Sequence, residues 1–312
     1  MKIAVVFSGQ GAQYPGMGKT LYNTNAKSRE IFDDAPEEIR SLCFEGTAEE
    51  LAQTSVTQPC VYTMTMAAYA AFQEELGKLG LTPDMAAGFS LGECAALTAA
   101  GVYDFKTGIN LVTNRGNWMQ EAAGGKGSMM AALGTVDKVE ECVELAKPYG
   151  MIAAVNYNSP KQTVVSADFE ALEAFQKIAK EHKLRVVPLK VGGPFHSPML
   201  APAAEKMKQA LSELPLSRPK LPVYANVTAQ KITDEDLTEL LSKQIMSPVR
   251  WEQTVRNMIA DGADVFVEIG PGKTLCGLIA KTDASVTVLN VEDAESLKNT
   301  IETISSYKEN AQ

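Results

Sequence analysis

Short apolar runs alternate with longer amphipathic stretches along most of the chain. Residues 2–7 (KIAVVF) predict a buried strand, followed by the Gly-rich loop 8–18 (SGQGAQYPGMG). A helix is predicted over about 57–79, with Thr57 as its N-cap and Gly80 as its stop. Residues 85–89 read as a short buried strand and 91–100 as a helix, with Ser90 at the junction. A second helix covers about 104–122 and ends at Gly124-Gly125. Alternation of this kind predicts a parallel sheet covered by helices.

From 127 to about 191 the rhythm changes. Residues 128–134 predict a strand, 136–147 a helix, and 151–157 with 162–167 a hairpin around Asn158-Ser159-Pro160. An amphipathic helix at 169–183 and a strand at 185–191 complete a β-α-β-β-α-β order, the ferredoxin-like unit. After 196 come a helix to about 213, a strand at 222–226, helices at 234–245 and 250–260, a strand at 264–269, and a further helix. The final KENAQ is expected to fray. The expected fold is therefore α/β, an α/β-hydrolase-like core with a parallel sheet and an inserted ferredoxin-like subdomain. Residues 1–126 with 196–312 form the large part, and 127–195 the small one.

Composition changes this picture mainly by exclusion. Of the 312 residues 45% are hydrophobic and 21% charged, ordinary values for a globular protein. No apolar run reaches the roughly eighteen residues of a membrane span, and the apolar run at 3–7 is too short for a signal-peptide core. A net charge of −9 argues against nucleic acid as the main partner. The five cysteines are scattered without a C-x-x-C pair, which argues against a disulfide framework or zinc site and for the cytoplasm.

Only two histidines occur. His182, in KEHKLR, reads as a solvated residue at a helix end, whereas His196, in GGPFHSP, is the candidate imidazole base. The segment Gly88-Phe89-Ser90-Leu91-Gly92 fits G-x-S-x-G between a strand and a helix, where a nucleophile elbow must sit. The alternative is a tight turn whose serine only caps the helix. The loop at Gly9-Gln10-Gly11 fails the dinucleotide fingerprint at Tyr14 and the P-loop at Gln13. It could instead supply an oxyanion donor opposite Ser90, or be a loop without a ligand. Asp261-Gly262-Ala263 fits the acidic partner of some lipid acyl hydrolases, but also a helix C-cap and turn. The ordinary α/β-hydrolase order is Ser, then acid, then a histidine near the C-terminus, which His196 does not match. Arg115, on the helix after the nucleophile helix, reads from pattern alone as a surface charge or a functional one.

Together these motifs resemble the malonyl-CoA:acyl carrier protein transacylase family over nearly the whole chain. The resemblance is carried by GQGAQ at 9–13, TQP at 57–59, GFSLGE at 88–93, RGNWMQ at 115–120 and NYNSPKQTVVS at 156–166. It continues through FHSPML at 195–200, PVYAN at 222–226, Q-x-x-x-PVRW at 244–251 and EIGPGKTL at 268–275. It implies a malonyl ester on Ser90, His196 as base oriented by the main-chain carbonyl of Gln244, and oxyanion donors at the backbone N–H groups of Gln10 and Leu91. Arg115 would bind the malonate carboxylate, and Gln58 would be an active-site glutamine. The implied substrate is malonyl-CoA, with no metal and no permanently bound cofactor. The implied partner is an acidic, phosphopantetheinylated acyl carrier protein, with Lys161, Lys190, Arg250 and Lys273 as docking candidates. Neither nucleic acid nor a membrane is implied. Phe89 departs from the usual G-H-S-x-G, which leaves acyl selectivity open, whereas Leu91 and Phe195 resemble the malonyl rather than the methylmalonyl enzymes. A serine acyl hydrolase, using His196 or Asp261, and a non-enzymatic acyl-thioester sensor remain the alternatives.

Overall fold

Strands from both ends of the chain meet in one sheet. The computed structural model describes residues 1–310 and opens with β1 (Ile3–Phe7). Four short helices, α1 (Lys19–Thr24), α2 (Ala26–Asp34), α3 (Glu37–Glu45) and α4 (Ala48–Leu51), lead to the long α5 (Thr54–Lys78). Next come β2 (Met85–Gly88), α6 (Leu91–Ala99) and α7 (Phe105–Ala123). A second series comprises β3 (Gly127–Leu133), α8 (Val136–Ala146), β4 (Ile152–Ser159), β5 (Gln162–Asp168), α9 (Phe169–Glu181) and β6 (Arg185–Pro188). The chain closes with α10 (Ala201–Ser212), β7 (Val223–Tyr224), α11 (Leu237–Gln244), α12 (Trp251–Ala260), β8 (Val265–Ile269), α13 (Thr274–Thr282), β9 (Thr287–Val291) and α14 (Ala294–Asn310).

The first sheet has the order β7-β2-β1-β8-β9, and every pairing in it is parallel. Its central strands are buried at every position, as a parallel sheet covered by helices on both faces requires. The second sheet, β4-β5-β3-β6, is antiparallel, with α8 and α9 packed on its outer face around Val139, Leu172 and Phe175. This strand order is that of a ferredoxin-like unit. Its inner face, with Met129, Ala131, Val155 and Val164, joins the same apolar cluster as Phe7 and Leu91. Strand β4 is also tied to the segment before α12, since Val249 donates to Val155 O at 2.8 Å and Tyr157 donates to Val249 O at 2.9 Å. The inserted unit therefore shares a core with the larger body.

Several predicted boundaries move. Helix α5 starts one turn before Thr57, with Gln53 as its N-cap; Thr57 instead lies buried in the first turn, its hydroxyl donating to Leu51 O at 2.5 Å. Pro59 accordingly sits inside the helix rather than at its first position. The strands expected at 185–191 and 222–226 shorten to β6 and β7. The short helices α1–α4, the edge strand β9 and α14 were not predicted. Helix α14 also carries Lys308–Asn310 of the segment expected to fray; Ala311 and Gln312 lie outside the described residues. Helices α1 to α3 carry Tyr22, Phe32 and Phe44, whose rings pack together with centroids 4.9–5.9 Å apart. That packing is a long-range gain that local periodicity does not encode.

The elbow itself depends on two glycines. A Cβ on Gly92 would lie 2.1 Å from Phe7 O, and one on Gly88 would lie 1.9 Å from Gly92. Helix α6 thus starts in contact with the ends of β1 and β2. A mid-helix Gly→Ala change ordinarily stabilises by about 1 kcal/mol. Gly92→Ala should do the reverse and cost about 3 kcal/mol, the upper range for overpacking a tight interior. Urea unfolding measures this, and a variant as stable as the parent would show that the helix can lift off β1 freely.

Candidate active site

The parallel strands end together, and the loops beyond their carboxyl ends make a crevice where open α/β sheets bind ligands. Phe7 of β1 pairs with Gly88 of β2, so Gln10 and Leu91 sit three residues past paired positions on adjacent loops. Leu91 opens α6, and its N–H belongs to the first turn, where no intrahelical acceptor exists. Gln10 is anchored by its side chain, which donates to Thr54 Oγ1 at 3.2 Å.

Ser90 stands between β2 and α6 with φ 53°, in the left-handed region that an L-residue seldom adopts. Its N–H donates to Asn226 Oδ1 at 2.8 Å, while Asn226 Nδ2 donates to Gly88 O at 2.7 Å. Gln244 Nε2 donates to Ser90 O at 2.7 Å. The amides of Asn226 and Gln244 thus hold the backbone on both sides of the serine.

His196 is also left-handed, with φ 59°. Ser166 of β5 donates to Phe195 O at 2.6 Å and Ser197 donates to Pro194 O at 2.6 Å, which fixes the loop that carries the imidazole. His196 Nδ1 lies 3.0 Å from Gln244 O, and Nε2 lies 2.7 Å from Ser90 Oγ. A carbonyl can only accept, so Nδ1 carries the proton and the Nε2 lone pair faces the serine hydroxyl. Burial, with the Arg115 charge added to it, pushes the imidazole down to about 4. It therefore stands as a neutral base.

Arg115, on α7, is 1% exposed. Its Nη1 donates to Gln58 Oε1 at 2.7 Å, and its Nη2 to Gln244 Oε1 at 3.0 Å and to Ser90 Oγ at 3.2 Å. These acceptors are all neutral. Its Nε has no hydrogen-bond partner among the described residues. A buried cation facing the serine hydroxyl suits an acyl group that brings its own carboxylate.

The seven site residues that the family resemblance implies fall in this region: Ser90, His196, Arg115, Gln58 and Gln244 in direct contact, Gln10 and Leu91 on the flanking loops. Beside them a cavity of about 400 Å³ is lined by Gln10, Phe89, Asn156, Asn158, Lys190 and Leu275, among others. Strand β4 shifts register between Ala154 and Asn156 and again between Tyr157 and Ser159, irregularities of the kind that re-aim side chains near sites. Phe89, where the family usually has histidine, packs edge-on to Trp251 with ring centroids 5.5 Å apart.

Asp261 is elsewhere. It caps the end of α12, accepts from Tyr224 Oη, and pairs with Lys231 at 2.9 Å. Its carbonyl accepts from Lys2, just before β1, so it lies at the opposite end of the strands from Ser90. The five residues of β1 separate the two by roughly 15 Å. His182 caps α9 and is partly exposed, as expected. Lys161, Lys190, Arg250 and Lys273 are exposed. Among the described residues no His, Cys, Asp and Glu group could hold a metal, and no helix is long and apolar enough to cross a membrane. Sequence reasoning assigned no role to Asn226, Glu93 or Ser166, although each lies in a quoted motif.

The acyl transferase domain family model matches residues 4–308. The malonyl CoA-acyl carrier protein transacylase of Bacillus subtilis strain 168 is 40% identical, with 99% of each chain covered. A crystal structure of the malonyl CoA-acyl carrier protein transacylase from Clostridium perfringens superposes with a TM-score of 0.95 at 39% identity, covering 100% of this chain and 99% of that one. A malonyl-transacylase in complex with its type II PKS acyl-carrier protein superposes with a TM-score of 0.91 at 33% identity, covering 97% and 100%.

With only two histidines in the chain, the protonation of His196 can be read directly. In ¹⁵N-histidine NMR at pH 6 its imidazole should still be neutral with the proton on Nδ1, since its titration lies near 4 rather than 6.5. A protonated ring at pH 6 would contradict the buried, cation-flanked setting described above.

Proposed function

We propose that this chain, which belongs to the malonyl-CoA:acyl carrier protein transacylase family, moves a malonyl group from malonyl-CoA to the phosphopantetheine thiol of an acyl carrier protein. The observation that carries the reading is a serine hydroxyl held between a neutral imidazole at 2.7 Å and a buried guanidinium at 3.2 Å. The imidazole supplies a base, and the guanidinium supplies a match for one particular acyl group.

The reaction is ping-pong. Ser90 Oγ attacks the thioester carbonyl carbon of malonyl-CoA while His196 Nε2 takes its proton. The oxyanion is received by the Gln10 and Leu91 N–H groups, one such donor being worth about 2.7–4 kcal/mol. The C–S bond breaks, the proton passes to the departing CoA sulfur, and malonate remains as an ester on Ser90. The carrier's thiol then gives its proton to His196 and attacks the same carbon, and the serine recovers its hydrogen. Arg115 holds the malonyl carboxylate throughout, with Gln58 and Gln244 fixing the guanidinium. Gln244 O holds the proton on Nδ1 and so keeps the basic lone pair toward Ser90. Nucleophile, base and charge stabilisation all come from the chain itself, so the chemistry calls for no resident metal or cofactor.

The product feeds fatty acid or polyketide synthesis. We assign residues 1–126 with 196–312 to the large subdomain and 127–195 to the small one, a division supported by their separate sheets. Lys190, at the cavity, and the exposed Lys161, Arg250 and Lys273 provide positive charge for an acidic carrier. The scattered free cysteines fit a reducing cytoplasm.

Incubation with malonyl-CoA should add one malonyl group to the intact mass, and holo acyl carrier protein should remove it. Ser90→Ala should acquire none, and an adduct on that variant would move the nucleophile elsewhere. Hydrolysis of malonyl-CoA without an acceptor would instead mark a hydrolase.

Arg115→Ala gives the second test. It should slow malonyl transfer by about 10–1,000-fold, the range of a lost hydrogen-bonded charge pair, while leaving acetyl transfer nearly unchanged. Arg115→Lys should restore only part of the loss, because an ammonium cannot reproduce two parallel bonds. Equal loss for both substrates would make Arg115 a structural residue.

A further inference from the structure

Glu93 lies one turn into α6 from the nucleophile, and its side chain is completely buried. Its Oε2 accepts the Asn226 N–H at 3.1 Å and Gln244 Nε2 at 3.2 Å, whereas its Oε1 has no partner among the described residues. A buried carboxyl with an unpartnered oxygen costs free energy wherever it occurs. The two residues it receives are the ones that hold the site. Asn226 fixes Ser90 N and Gly88 O; Gln244 fixes Ser90 O, His196 Nδ1 and Arg115 Nη2.

We propose that Glu93 is a positioning residue for the transfer: its carboxylate stands behind the Ser90–His196 pair, acts on it through Gln244 and Asn226, and balances the buried charge of Arg115. The base has no carboxylate in contact, since its Nδ1 goes to a main-chain oxygen. The acid is displaced by one residue. It reaches the imidazole through Gln244, whose Nε2 faces Glu93 while its Oε1 faces Arg115, an amide orientation fixed by charge at both ends.

When Ser90 gives up its proton, His196 becomes an imidazolium beside the Arg115 guanidinium. A negative charge behind Gln244 offsets that second positive charge. The ionisable groups facing Glu93 are Arg115 on α7, Tyr103 in the turn before α7, and Cys94 on its own helix. Burial pushes the Cys94 thiol and the Tyr103 phenol up, so both stay neutral and Arg115 is the cation of the set. Burial also raises the Glu93 carboxyl to about 7, against the opposing pull of the Asn226 N–H, the Gln244 amide and Arg115. The carboxyl is thus neutral in acid and ionised as the pH rises through about 7. The acyl-transfer rate should rise with it.

This inference rests on the proposed malonyl transfer, and the experiment separates the two. Parent enzyme is first shown to acquire the malonyl adduct; absence of that adduct overturns the transfer reading itself. Single-turnover acylation by malonyl-CoA is then followed from pH 5.5 to 8.5, with melting temperatures, for the parent, Glu93→Gln and Glu93→Ala. The parent rate should rise about tenfold through a limb near pH 7, the scale of one charge acting across a partly screened interior. Glu93→Gln keeps an oxygen for both donors but no charge. It should therefore lack the limb and stay at the parent's acid-side rate at every pH. Glu93→Ala loses the contacts as well and should be slower by about another tenfold or more, as for other residues that set catalytic geometry. If it does not fold, the Glu93→Gln profile decides alone. A Glu93→Gln profile superimposed on the parent's, limb included, overturns the proposal. So does a melting temperature lowered in the variants with the acylation rate unchanged.

Discussion

The amide of Asn226 bridges the two sides of the turn at Ser90, and the rest of the site depends on that bridge. It accepts from Ser90 N and donates to Gly88 O, so it closes a turn whose central residue is in a disfavoured backbone region. Such strain costs of order 1–3 kcal/mol and persists only when the surroundings over-determine it. Here the surroundings are tight on every side, with glycines where helix α6 meets β1 and β2 and a second amide, from Gln244, on the serine carbonyl. A turn so held projects the hydroxyl with little freedom, which is what near-attack geometry asks of a nucleophile.

Electrostatics set the remaining terms. Arg115 is desolvated and surrounded by neutral acceptors, so its charge is offered to whatever anion enters. Burial lowers the affinity of His196 for a proton, and the same charge lowers it further. The two requirements, an acceptor for an anion and a base that is not already protonated, are therefore met by one arrangement. Phe89 adds an apolar wall where the family usually has an imidazole, and the ring that meets Ser90 Oγ is that of His196.

Much of this could be read from the sequence, and particular residues show why. G-x-S-x-G at Gly88–Gly92 is legible because strand, turn and helix signals surround it. The small number of histidines singled out His196 before any geometry was available. The antiparallel unit announced itself through a change of period at 127, and its strand order followed. The helices between β1 and α5 were missed because they are short and held by the Tyr22, Phe32 and Phe44 cluster. Even so, Thr47 and Glu50 form a capping box at α4 that the residues themselves spell out. The strand β9 is half-exposed at the sheet edge, and TVLNV there lacks the continuous apolar run that marked β1. Glu93 and Asn226 escaped because no local pattern reports a contact between residues so far apart in sequence.

The hydrogen bond from Ser166 to Phe195 O has one more implication. Ser90 is delivered by the parallel sheet, but the loop bearing His196 is pinned to β5 of the antiparallel one. The stretch from Gly127 to Phe195 is therefore not an accessory that could be removed or exchanged to leave a smaller working enzyme. It is one jaw of a vice whose other jaw is β2 and α6, and a slip of either sheet along the other would open the gap between serine and imidazole. An insertion of this kind becomes indispensable once the host's chemistry is hung from it, and the two lobes are then bound to change together.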